Sequence, residues 1–133
     1  MKLLFTAFLS IIIAVTYAQK TTASNDSLLG TWKGTSICQI KSSPCHDEIA
    51  VYHITKGTRS NTYRMLMDKV VNGKEEEMGT IEYDFDAVKQ ILSYRDNQRN
   101  TVWTFNVHNG QMDGTLMSND QLYRVIKLSK ADQ

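Results

Sequence analysis

The chain lacks any segment of helical periodicity long enough to pack as a helix. It also lacks a glycine-rich phosphate loop, a paired metal-ligand motif and a helix N-terminus that would hold an anion. These gaps remove the nucleotide-dependent α/β enzyme classes. Nor is there an excess of one charge: 15 basic side chains stand against 14 acidic ones. A surface so balanced offers nucleic acid no cationic footprint and gives no reason to expect an anionic membrane. No apolar run follows residue 15, so nothing reads as a transmembrane helix. The 133 residues leave room for one domain and one modest core.

The first 18 residues resemble an export signal in their physical layout. Met1-Lys2 is positive, Leu3 to Val15 is apolar and about 13 residues long, and Thr16-Tyr17-Ala18 supplies small residues for peptidase cleavage after Ala18. That run falls short of the ~20 residues that span a bilayer, and no cysteine lies near the cleavage point to carry lipid, so no membrane anchor is expected. Loss of Lys2 would leave 14 basic and 14 acidic residues in a secreted or periplasmic protein. Residues 19–27 (QKTTASNDS) are polar and aperiodic and read as a disordered leader; Asn25-Asp26-Ser27 fits a glycosylation sequon. Residues 28–133 form the folded domain, expected to act as a monomer.

What the domain does have is alternation. Eight short runs (28–40, 48–56, 61–70, 75–85, 88–95, 101–108, 111–118 and 122–129) alternate apolar and polar residues between turn signals. An antiparallel up-and-down meander of eight strands has two raw edges. Joining the first strand to the last removes both, so the fold class expected is an all-β small barrel.

Turn chemistry decides which face is inside, because a slip of one residue would invert every strand. Asn109-Gly110 is a two-residue hairpin turn that sets Val107 opposite Met112, Phe105 opposite Gly114 and Trp103 opposite Leu116. A turn at Asp96-Asn97-Gln98-Arg99 then places Leu92 opposite Trp103 and Val88 opposite Val107, and a tight turn at Asp86-Ala87 brings Phe85, Tyr83 and Ile81 to the same face. A three-residue loop, Val71-Asn72-Gly73, aims Tyr63, Met65 and Met67 inward, where a two-residue loop would aim Arg64 and Asp68 inward. By the same reasoning a three-residue loop at Asn119-Asp120-Gln121 turns Ile126 and Arg124 inward and keeps Lys127 out. The second run is ambiguous between Tyr52 with Ile54 and Val51 with His53.

Gly30-Thr31-Trp32 opens the first strand, and there the chain resembles the lipocalin-like (calycin) barrels, in a short secreted form. In that family a Gly-x-Trp begins strand one and a basic residue near the last strand packs over the tryptophan. The resemblance implies that Gly30, Trp32 and Arg124 close the barrel, with Lys127 as the second choice for the basic residue. A cation over an indole contributes about 0.5–2 kcal/mol. The family's acidic-arginine turn in the second half has no counterpart here.

Cys38 and Cys45 enclose six residues in a chain bound for an oxidising compartment, which predicts a disulfide. Cys45-His46-Asp47-Glu48, with His53 further on, holds zinc-type ligands, but neighbours on an extended chain point apart. Glu75-Glu76-Glu77 opposite Asp68 and Lys69 reads as a solvated hairpin tip with Lys69 pairing Glu76. No metal ligand, cofactor or catalytic residue is therefore assigned. Tyr63, Tyr83 and Tyr94, with Trp103, Phe105 and Arg124, combine apolar bodies and polar tips on the inward face, as a small-molecule site does. The function expected is non-catalytic binding of a small apolar or amphipathic molecule. The alternative is a filled barrel that contacts another exported macromolecule.

Overall fold

The computed structural model describes residues 25–131. The expected export signal of residues 1–18 and most of the expected leader of residues 19–27 lie outside them. A 3-10 turn at Asn25–Leu28 takes up the leader's last three residues. Eight strands follow: β1 (Gly30–Cys38), β2 (Glu48–Lys56), β3 (Thr62–Val71), β4 (Lys74–Asp86), β5 (Ile91–Asp96), β6 (Thr101–His108), β7 (Gln111–Ser118) and β8 (Gln121–Lys130). Each pairs antiparallel with the next, and β1 pairs with β8, so the sheet is a closed barrel with no free edge.

The inward face is the one the alternation predicts. Trp32, Met65, Tyr83, Leu92, Phe105, Met112 and Ile126 have essentially no exposed surface. On β2 the choice falls to Tyr52 and Ile54, with Ala50, while His53 faces out. The β6–β7 hairpin has the predicted register, Val107 to Met112 and Phe105 to Gly114, with Asn109 and Gly110 both at positive φ.

Two hairpins reach the right face by a different route. The three-residue loops expected after β3 and β7 are two-residue turns, Asn72-Gly73 and Asn119-Asp120, each left-handed at both positions. The extra residue sits further along, as a bulge at Met78 on β4 and at Tyr123 on β8. Either placement adds one residue to one strand, so the inward parity is the same.

The strand expected to begin at Val88 begins at Ile91, and Val88 is 94% exposed. Asp86 Oδ1 accepts hydrogen bonds from the backbone amides of Val88 and Lys89 (both 3.0 Å), which winds residues 87–90 into a turn rather than a strand. Asp96 repeats the device with the amides of Gln98 and Arg99 (2.9 and 3.1 Å). Leu92 consequently lies opposite Phe105, two residues from its expected partner Trp103 but on the same face.

Cys38 and Cys45 are disulfide-bonded and tie the exit of β1 to the approach of β2. Closing so short a loop stabilises by about 2–3 kcal/mol on the chain-entropy account. A Cys38→Ser/Cys45→Ser variant is expected to show that loss in urea denaturation, whereas equal midpoints would show that the loop is held without the bond.

The β2–β3 connection is gathered on one carboxylate. Glu82 accepts from the Thr62 hydroxyl (2.6 Å), the Thr58 amide (2.8 Å) and the Thr58 hydroxyl (2.9 Å). The Thr62 hydroxyl is the chief reason that its pKa falls from 4.5 to about 2. A depressed folded-state pKa contributes stability above pH 4.5 that is lost as pH falls through about 2. Glu82→Gln is expected to flatten the stability profile across that window; an unchanged acid limb in the variant would contradict the assignment.

Candidate functional site

The two ends of the barrel differ. At the end where β1 begins and β8 finishes, Trp32 fills the bore with no surface exposed, and its Nε1–H donates to Leu28 O at 2.9 Å. Leu28, itself buried, caps it from the 3-10 turn. The cation over the indole is Lys130, its Nζ 5.0 Å from the ring centroid. Lys130 also donates to Ser27 O at 2.6 Å and to Leu29 O. Burial lowers the pKa of this amine.

Arg124 was the residue expected over Trp32, and the structure corrects that. In the β1–β8 ladder Trp32 lies opposite Lys130 and Cys38 opposite Arg124. Six residues of strand separate the two positions, about 20 Å at ~3.3 Å per residue. Lys127, the second choice, is turned outward and pairs with Asp113 at 3.2 Å.

Arg124 instead organises the opposite end. Its Nη1 donates to Ser36 O (3.3 Å), Ser36 Oγ (3.2 Å) and His46 O (3.0 Å), and its Nη2 to Glu48 Oε1 (3.4 Å). The pair is largely shielded, and the guanidinium joins β8 to both sides of the disulfide loop. Burial, then the Glu48 charge, pushes the Tyr52 phenol up to about 12, so its proton stays in place as a donor.

Above these residues the bore is open. A cavity of about 480 Å³ is walled by Tyr52, Met67, Ile81, Tyr94, Trp103 and Leu116 and meets Ser36, Glu48 and Arg124 on its polar side. Asp96, Arg99 and Thr101 stand at its mouth. Two cations and two anions in the lining balance, so the site carries no formal net charge; apolar and aromatic surface makes up rather more than half of its wall, with polar groups beside Arg124 and at the mouth.

Of the six inward residues expected to meet a ligand, Tyr94, Trp103 and Arg124 line this cavity. Tyr63, Tyr83 and Phe105 lie below it in the packed core. The Tyr63 ring meets Phe85 edge-on at 5.5 Å, and Tyr83 meets Phe105 at 5.7 Å. The Tyr83 hydroxyl donates to Met67 Sδ at 3.8 Å, and burial raises its pKa. Tyr52, Ser36 and Glu48 are wall residues that the sequence did not single out. For Tyr52 the signal was present in the β2 alternation but was balanced by Val51 and His53; for Ser36 and Glu48 it was the approach of Arg124 to the β1–β2 loop, which only barrel closure supplies.

In sequence comparison, the chain matches no protein-family model and no curated protein.

Proposed function

We propose that this protein is an exported, lipocalin-like barrel that binds a small apolar or amphipathic molecule in the cavity beneath the disulfide loop, without transforming it. The observation that carries the proposal is the cavity: about 480 Å³, one end plugged by Trp32 and the other open. That volume falls within the ~300–1,000 Å³ of small-molecule sites, which pair apolar walls with a few fixed polar groups. Gly30-Thr31-Trp32 at the start of β1, with a basic side chain over the indole, supports the lipocalin-like reading, with Lys130 taking the part first given to Arg124. The disulfide supports an oxidising compartment, and among the described residues no helix is long and apolar enough to cross a membrane.

The balanced lining favours a neutral head group with both a donor and an acceptor, because a carboxylate carried to the inner polar side would have to displace Glu48 from Arg124. Thermal denaturation with decanol, monodecanoylglycerol and decanoate tests this. The neutral amphiphiles are expected to raise the melting temperature by mass action, equivalent to about 2.7 kcal/mol at a hundredfold excess over Kd, and decanoate less. No shift with any of the three, together with no small molecule retained in native mass spectra of protein taken from its own host, would favour the alternative of a barrel that contacts another exported macromolecule.

A further inference from the structure

On the outer face of the barrel, three adjacent strands bring together side chains that lie far apart in sequence. His53 comes from β2, Asp68 from β3 and Glu75 from β4, and one donor atom of each lies within 4.8 Å of the others. His53 Nε2 stands 3.4 Å from Asp68 Oδ2 and 3.3 Å from Glu75 Oε2. We propose that these three residues bind a divalent first-row transition metal ion of the zinc type.

Geometry is the first support. Zinc bonds of about 2.0–2.2 Å in a tetrahedron separate neighbouring donors by about 3.3–3.6 Å, which matches both histidine-to-carboxylate distances. The donor set is the second: one imidazole and two carboxylates suit zinc, cobalt or manganese, whereas calcium and magnesium take oxygen alone.

The third support is independent of the cluster's own contacts. Asp68 has a side chain only 9% exposed, and its Oδ1 is buried without a hydrogen-bond partner. A buried carboxylate with an oxygen left unpaired is costly, and a cation bound to that carboxylate offsets the charge that the protein leaves uncompensated there. His53 is also prepared for the role. Its Nδ1 lies 3.0 Å from Thr31 Oγ1 on β1, and donation from Nδ1–H to that oxygen leaves the Nε2 lone pair directed at the two carboxylates.

The bulge at Met78 explains why the three meet. It resets the β3–β4 register between Met67 and Asp68, so that Asp68 faces Glu77 and Val70 faces Glu75 on the outer surface. The ion would staple β2, β3 and β4 beside the one irregularity in their pairing. A solvent-facing position remains, since Glu75 is about half exposed.

Zinc titration of the purified, disulfide-intact protein by calorimetry, with cobalt(II) absorption as a second readout, tests the proposal. One equivalent is expected to bind, with a tetrahedral cobalt spectrum and a rise in melting temperature that calcium and magnesium do not produce. His53→Ala and Glu75→Gln should each weaken zinc binding more than 100-fold, and Thr31→Val, which leaves all three ligands, about 10–100-fold. Asp68→Asn should also abolish the zinc response while leaving the metal-free melting temperature equal or higher, because it relieves the unpaired buried charge. His108→Ala, which removes a histidine paired with Asp113 elsewhere, should change nothing. Absence of saturable zinc binding, or binding that survives both His53→Ala and Glu75→Gln, would overturn the proposal.

Discussion

Replacing Phe105 with alanine is expected to cost about 3–5 kcal/mol of stability, whereas Thr104→Ala, one residue away, should cost no more than about 1 kcal/mol. Phe105 has no exposed surface and is the hub of the aromatic core. It meets Tyr52 edge-on at 6.4 Å and Tyr83 at 5.7 Å, and lies nearly parallel to Trp103 at 6.4 Å. Its ring also covers Gly114 on β7, where a β-carbon would collide with two of the ring carbons. Nothing larger than glycine fits there unless the ring moves. Gly114→Ala is accordingly expected to cost about 1–3 kcal/mol through overpacking. Against a total stability of about 5–15 kcal/mol for a domain of this size, the loss at Phe105 is large. Chemical denaturation of the pair of neighbours measures it; equal midpoints for Phe105→Ala and Thr104→Ala would mean that β6 presents its other face to the core.

The second large effect belongs to Trp32. Trp32→Ala should also cost about 3–5 kcal/mol, because it empties the closed end of the barrel and leaves the buried Leu28 carbonyl without its indole donor. Two milder variants separate the cation from the plug. Lys130→Met removes the charge over the ring and should cost about 1–2 kcal/mol and shift the Trp32 emission. Arg124→Met should leave that emission unchanged, since Arg124 works at the other end, on Ser36 and Glu48. Trp103→Phe provides the background in which Trp32 is the sole emitter. A shift caused by Arg124→Met and not by Lys130→Met would reverse the assignment of the two basic residues.

That exchange of roles shows which parts of the molecule were legible in the chain. Parity was legible on every strand but β2: Tyr63, Tyr83, Trp103 and Phe105 all face inward because each turn, even where its length was misread, conserves the alternation of period two. Position along the strand was not. The turns at Asp86 and Asp96 are wound by side-chain acceptors onto backbone amides, a device that consumes two residues more than a tight turn and left Val88 in solvent. Register between β1 and β8 depends on closure and on the Tyr123 bulge, neither of which has a local signature, so the sequence pointed to Arg124, and next to Lys127, where the fold sets Lys130 over Trp32. The cavity follows the same rule. Tyr94, Trp103 and Arg124 line it whereas Tyr63 and Phe105 do not, because depth along the bore separates residues that alternation treats as equal. His53, Asp68 and Glu75 are 15 and 7 residues apart in order, and only three paired strands and a bulge bring them together.

The central claim is that the open end of this barrel is a binding site, and Trp103 reports on it directly. Its indole lines the cavity, while Trp32 is sealed at the far end and supplies a constant background. Titrating the protein with decanol should give a saturable change in tryptophan emission that disappears in Trp103→Phe, although the melting-temperature shift persists in that variant. Leu116→Phe, which narrows the cavity, should weaken both signals together. An emission that stays flat through saturation of the ligand's solubility, or a response that Leu116→Phe leaves intact, would contradict binding in the cavity.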